Sequence, residues 1–166
     1  MIQTARLRLR PAVPEDLADL HDVFSHPSAM RFWSHETHTD LAQTQGTLDG
    51  MIASHSETGL ELVIELDGKV IGKAGLWRMA EVGYILHPDH WGKGLAQEAL
   101  QAVIDAAWTK HSDVTEITAE IDPRNSGSVK LLNRLGFVLS KTATRTLFIY
   151  DEWCDSAYYV LPRPKR

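Results

Sequence analysis

The stretch "EVGYILHPDHWGKGLAQEALQAVIDAAWTKHSDVTEITAEI", residues 81–121, constrains the fold more than any other. A β-rich run at 81–86 is followed by two glycines around a lysine. An apolar helical pattern then extends to about Lys110, and an alternating strand pattern occupies 114–121. Two strands of one sheet joined through a helix lie parallel, because the crossover brings the chain back to the edge where it started. The flanks add antiparallel units. "LELVIELDGKVIGKAGLW" is two β-rich runs joined by Asp67-Gly68, a hairpin signal. "RLRLR" alternates, with Leu7 and Leu9 on one face. Pro14, Glu15 and Asp16 suit the start of a helix that carries Leu17, Leu20 and Phe24 and stops at "SHP", 25–27. Thr39 or Asp40 caps a second helix bearing Leu41, Leu48, Met51 and Ile52. "SVKLLNRLGF" is a short helix ended by Gly136, and "TLFIY" and "DSAYYVL" close the chain as strands. The order β-α-α-β-β-β-α-β-α-β-β predicts a mixed α/β (α+β) fold in one domain over 1–166. Its twisted, mostly antiparallel sheet has about seven strands, flanked by about four helices.

Bulk properties narrow the function. A net charge of −5 argues against a general nucleic-acid binder, which needs a basic surface. The short basic segments "RLRLRP" and "PRPKR" read as a solvated edge strand and a frayed tail. No apolar run approaches the roughly 20 residues that span a bilayer, and "MIQTARLRLRP" lacks a signal-peptide core. The one cysteine, Cys154, allows no internal disulfide and fits a reducing, cytoplasmic setting. No membrane association is expected.

The glycine loop carries the chemistry. The first four amides of a helix lack internal partners, and the helix dipole makes that end positive. Glycines let the backbone approach a ligand closely. Gly92, Lys93, Gly94, Leu95 and Ala96 are therefore placed to wrap amides around a pyrophosphate. A plain surface turn explains the same letters. Two familiar phosphate motifs do not fit. A nucleotide P-loop needs Gly-Lys followed by Ser or Thr, whereas Lys93 precedes Gly94, and a dinucleotide fingerprint needs a third glycine where Gln97 stands.

The loop and its neighbours resemble the GNAT superfamily of N-acetyltransferases. The superfamily's Arg/Gln-x-x-Gly-x-Gly/Ala pattern aligns with Trp91-Gly92-Lys93-Gly94-Leu95-Ala96, except that Trp91 replaces Arg or Gln. "GYILHPDHWGKGLAQEAL" is similar to the string of the RimJ/RimL branch, which acetylates ribosomal-protein N-termini. "TARLRLRPAVPEDLADLHDVFSHPSAMRFW", "NSGSVKLLNRLGF" and "DEWCDSAYYVL" resemble that branch's opening, its Asn-x-x-Ser helix and its closing strand, so the likeness runs nearly the whole chain in order.

The resemblance implies acetyl-CoA as cosubstrate and a primary amine as acceptor, either a protein N-terminus or a small molecule. Transfer would be direct, within a ternary complex. Dimerisation is implied only by analogy. It places the pantetheine arm along the backbone of Ile85, Leu86 and His87, with a backbone amide near Leu86 as oxyanion donor. Cofactor contacts continue over Trp91, Gly92, Lys93, Gly94, Leu95, Ala96 and Gln97, then Asn125 and Ser128. Lys93 meets a phosphate or is simply solvated; Asn125 reaches the cofactor or caps the short helix. Ser128 matches the position that RimL-like enzymes use to protonate the thiolate. The tyrosine that many GNAT enzymes carry further along this helix is here Leu132.

Glu81 and Asp155 are the carboxylates matched to a proton-accepting role, with a surface or ion-paired carboxylate as the alternative for each. An N-terminal amine is about 15% neutral at pH 7 and a lysine ~0.04%, so reaching the neutral amine costs roughly 1 kcal/mol in the first case and ~4.6 in the second. Without an obvious buried base, α-amines or low-pKa amines are favoured as acceptors. Phe32, Trp33, His35 and Tyr84 are candidates for acceptor contacts, with core packing the alternative for the aromatics. No metal is expected: "SHETH" spaces His35 and His38 unlike a zinc-protease motif. A catalytically silent acyl-CoA-binding module is the rival reading.

Overall fold

A computed structural model describes residues 1–165. The elements are β1 (Ile2–Gln3), β2 (Arg8–Arg10), α1 (Leu17–Phe24), α2 (Pro27–Met30), α3 (Leu41–Thr58), β3 (Glu61–Leu66), β4 (Lys69–Arg78) and β5 (Glu81–Leu86). They continue with α4 (Leu95–Lys110), β6 (Glu116–Ile121), α5 (Ser126–Arg134), β7 (Val138–Ile149) and β8 (Glu152–Pro162). The strands form one open sheet in the order β1-β2-β3-β4-β5-β6-β8-β7. Every neighbouring pair is antiparallel except β5 and β6, the pair joined by the α4 crossover.

Local chemistry accounts for the main elements. Asp67 (φ 50°) and Gly68 (φ 82°) both take the left-handed conformations that a two-residue hairpin turn requires. Asp40 caps α3: its carboxylate accepts from the Gln43 amide at 2.9 Å, while the Gln43 side chain accepts from the Asp40 amide at 3.2 Å. Gly59 ends α3 in the left-handed conformation at φ 69°. Strand alternation sends Leu62, Ala74 and Leu86 to the α4 side of the sheet, where they pack with Leu95, Ala99 and Val103. Val63 and Ile85 point the other way, to Leu20, Phe24, Leu48 and Met51 of α1 and α3. A third cluster joins Leu100 and Ile104 of α4 to Leu131 and Leu132 of α5 over β6 and β8.

The sheet has eight strands and the described residues form five α-helices, in keeping with the expected mostly antiparallel sheet of about seven strands and about four helices. Three expectations need correction. The additional strand, β1, pairs outside β2, so "RLRLR" is not an edge. It is not merely solvated either: Arg10 forks onto Asp16 at 2.8 and 2.9 Å and reaches Glu65 at 2.7 Å. In the final segment "PRPKR" Arg163 is tied down, its guanidinium donating to the carbonyls of Val114, Trp108 and His111, while Arg166 lies outside the described residues. β7 begins at Val138, well before "TLFIY". Most of its residues are exposed, so it lacks the buried alternation by which a strand is read from sequence; pairing along β8 holds it extended.

Candidate active site

The glycine loop lies between the end of β5 and the start of α4. His87 caps a 3-10 turn over Pro88–His90, its Nδ1 accepting from the Asp89 amide at 3.2 Å. Gly92 (φ 72°) and Gly94 (φ 76°) both adopt the left-handed region, and Gly94 is the N-cap of α4. Asp40 and Asn125 cap α3 and α5 with side-chain oxygens, whereas α4 has no side-chain cap. Its first-turn amides are thus left for an external acceptor. A Cβ at Gly92 would meet nothing within 4 Å, so the space above the loop is open. Free first-turn amides beside open space can accept an anion. Lys93 folds its ammonium back onto the Asp89 carbonyl at 2.9 Å. Leu95 is buried in the α4 core, and Ala96 and Gln97 are half-buried behind it.

Next to the loop the sheet opens. β5 and β6 share one registered pair, Glu81 opposite Thr118, and the rest of that edge of β5 has no strand partner. The His87 amide donates to Ile71 on β4, so by alternation the main-chain groups of Tyr84 and Leu86 face the gap. Trp91 closes one of them, its Nε1 donating to the Leu86 carbonyl at 2.8 Å. Trp91 departs from Arg or Gln in identity but still supplies an N–H donor, here directed at β5.

Tyr84 sits on the α4 face and is absent from the cavity on the other side, where Phe32, Trp33 and His35 lie. Its hydroxyl is buried with no hydrogen-bond partner among the described residues, and burial pushes it up to about 12 despite the nearby Ser128. It therefore stays protonated across the physiological range. Ser128 is half-buried in the first turn of α5, where its amide donates to the Asn125 side chain at 3.2 Å. Asn125 thus performs the capping job. Leu132 is fully buried, and Tyr159 is buried in the same cluster.

On the α3 face a cavity of about 630 Å³ spans the β5–β6 gap. Phe32, Trp33, His35, Glu81 and Asp155 all line it. The structure therefore gathers these five predicted residues around one space. Glu81 holds Arg78 through two contacts at 2.6 and 2.9 Å. Asp155 accepts the amide of Arg145 at 2.9 Å; that residue has φ 52° in an irregular stretch of β7. His35 accepts the Trp33 indole N–H at 3.2 Å, and its ring stacks on His38.

Several residues at the site went unread in the sequence. Glu61 and Lys73 form a buried pair at 2.5 Å, and both line the cavity. The Glu61 Oε2 has no hydrogen-bond partner among the described residues, and the Trp33 ring stands 5.6 Å from the Lys73 ammonium. A lysine in the middle of the apolar run "VIGKAGLW" was the available signal. Arg6, placed at the glycine loop by contacts with Lys93 and Glu98, offered none, because those contacts span more than 80 positions of chain.

The fold thus sets an uncapped, glycine-bounded helix start at one side of the opened sheet and a polar cavity against the α3 face. Residues 6–138 match the acetyltransferase (GNAT) domain family, and the chain belongs to that family. It is 34% identical over 146 residues to an uncharacterized N-acetyltransferase, p20, of Bacillus licheniformis, covering 82% of this chain and 81% of that protein. It is 26% identical over 156 residues to a spermidine N(1)-acetyltransferase of Escherichia coli K12, covering 89% of this chain and 81% of that protein. A solved structure of RimL, a ribosomal L7/L12 α-N-protein acetyltransferase in complex with CoA, superposes with a TM-score of 0.82 at 18% identity, covering 96% and 95% of the two chains. The protein is an acetyl-CoA-dependent N-acetyltransferase. No helix among the described residues is long and apolar enough to cross a membrane.

Proposed function

We propose that this chain, as one domain over residues 1–166, passes the acetyl group directly from acetyl-CoA to a primary amine. The acceptor is a protein N-terminal α-amine or a small-molecule amine, in the manner of the RimJ/RimL branch. The observation that carries this reading is the cavity across the β5–β6 gap, which sets five carboxylates (Glu61, Glu81, Glu120, Asp122, Asp155) against three cations (Arg31, Lys73, Arg78). Such a lining suits an ammonium that arrives charged and must lose a proton. RimL acts on a protein N-terminus and the spermidine enzyme on a polyamine, so relatives supply both acceptor classes.

In this reading the glycine-loop amides from Gly92 to Gln97 hold the pyrophosphate, and of the stretch Ile85, Leu86 and His87 it is the gap-facing main chain of Leu86 that aligns the pantetheine arm, since the His87 amide, and by alternation that of Ile85, turns to β4. The Leu86 N–H, which faces the gap, stabilises the oxyanion, and Trp91 keeps the adjoining carbonyl occupied. Glu81 or Asp155 accepts the amine proton, directly or through water, as the C–N bond forms. As the C–S bond breaks, Ser128 donates a hydrogen bond to the departing sulfur. Phe32, Trp33 and His35 contact the acceptor. Positioning the two reactants supplies much of the rate, and an α-amine needs only a modest base.

The test is a screen of small amines and N-terminal peptides with acetyl-CoA, read by release of free thiol. Acetylation of at least one primary amine is expected. Silence across the panel while CoA still binds would return the silent binding module as the better reading.

A further inference from the structure

The amino-terminal segment "TAR" is fastened to the glycine loop. Thr4 Oγ1 donates to Glu98 at 2.6 Å, the Arg6 amide donates to the same oxygen at 2.8 Å, and Arg6 Nε donates to the other carboxylate oxygen at 2.7 Å. Arg6 Nη1 then reaches the Lys93 carbonyl at 2.7 Å, and its other nitrogen lies 3.5 Å from where a Cβ on Gly94 would stand. One planar fork therefore bridges the first turn of α4 and the peptide between the loop's two glycines.

Two physical consequences follow. A trans peptide holds its C=O and N–H on opposite sides, so fixing the Lys93 carbonyl toward Arg6 also fixes the Gly94 N–H on the far side. Left-handed glycines have many alternative conformations, and this contact removes freedom at the one between them. The second consequence concerns charge. Glu98 in the first turn suits the helix dipole, yet an uncovered carboxylate there repels a phosphate. Three donors cover it. Burial pushes the Glu98 carboxyl up, but the hydrogen bonds from Thr4 and Arg6 outweigh that and hold it below the usual carboxylate range.

We propose that Arg6 is a cofactor-positioning residue, which holds the glycine loop in its anion-binding form by clamping the Lys93 carbonyl to Glu98. This rests on the loop's being the pyrophosphate site. It adds a side chain from the opposite end of the sequence to a cradle otherwise made of main-chain amides. It also assigns the short basic start of the chain a role at the loop in place of a solvated surface.

The experiment compares wild type with Arg6→Ala, Arg6→Lys and Glu98→Gln. CoA affinity is measured by calorimetry, and kcat and KM for acetyl-CoA on an amine that the screen identifies. S-acetyl-pantetheine, which lacks the pyrophosphate, is the second donor. Arg6→Ala is expected to raise the CoA Kd and the acetyl-CoA KM about tenfold with kcat within about twofold, and to leave S-acetyl-pantetheine turnover unchanged. Arg6→Lys keeps the charge but not the fork, and should show most of the same loss. CoA affinity of Arg6→Lys equal to wild type would replace the clamp by simple charge attraction, and equal losses with both donors would reduce it to general folding; either overturns the proposal. If Arg6→Ala does not fold, Glu98→Gln gives the same reading through the other end of the clamp. Gly94→Val is the control for the site itself. Loss of CoA binding there with wild-type binding in Arg6→Ala sinks the clamp alone, whereas wild-type binding in both sinks the loop assignment beneath it.

Discussion

Trp91 shows how one side chain ties two parts of the site together. Its ring is half exposed, yet its Nε1 bonds the Leu86 carbonyl on the strand that faces the gap. Trp91→Phe keeps the ring and deletes the donor, leaving that carbonyl without its partner. A rise of about three- to tenfold in acetyl-CoA KM is expected from steady-state kinetics, in line with a lost hydrogen bond of about 1 kcal/mol. Ser128→Ala should act differently, lowering kcat by tenfold or more with CoA affinity by calorimetry nearly unchanged. Equal turnover would remove Ser128 from the chemistry. At this scale the sequence was most legible where a motif depends on main-chain conformation: the positive φ angles of Gly92 and Gly94 were implied by the letters. It was least legible for side-chain partners. "Lys93" in a phosphate-type loop gave no sign that its ammonium folds onto Asp89, nor did "Tyr84" that its hydroxyl is buried beside Ser128.

Among the elements, the helix starts divide by what caps them. α3 begins with the reciprocal Asp40–Gln43 box and α5 with Asn125, each a side chain satisfying first-turn amides. α4 begins on glycine and leaves its amides free for a ligand. Asp40→Ala should therefore cost about 1 kcal/mol of stability in denaturant unfolding, with the kinetics of acetyl transfer little changed. Gly94→Val should act on both, costing about 1–3 kcal/mol of stability through strain at φ 76° and weakening CoA binding by distorting the loop; its Cβ stands in ordinary contact with Arg6, at 3.5 Å. The central elements were readable because β3, β4 and β5 are β-rich runs and α4 a long helical pattern, each bounded by turn residues. β1 and α2 are a two-residue strand and a four-residue helix, too short for any period, and β7 is held by its neighbour more than by its own pattern.

Across the whole molecule, stability is linked to ligand and to pH. Acetyl-CoA at 100 times its Kd should raise the unfolding free energy by about 2.7 kcal/mol, seen as a higher Tm that ATP does not produce. Mild acid should lower Tm through a buried histidine. His38 is 5% exposed, stacks on Phe24 and shares the Thr44 hydroxyl with His21. Burial, then the neighbouring imidazoles of His35 and His21, hold its pKa below the ordinary value. The unfolded chain, with His near 6.5, then binds the proton more readily than the folded one, so stability present above about pH 6.5 is lost as pH falls below it. Tm measured at pH 7.5 and 5.5 checks the sign; a Tm that holds or rises at pH 5.5 would contradict it. The sequence by itself determined the central crossover, the hairpin and the glycine-bounded start of α4, because turn chemistry and hydrophobic period act over a few residues. Only the tertiary structure decided that the sheet opens between β5 and β6, that Glu61 and Lys73 meet in the cavity, and that Arg6 reaches the loop. Those contacts join distant parts of the chain, and only the packing of helices against the twisted sheet brings them together.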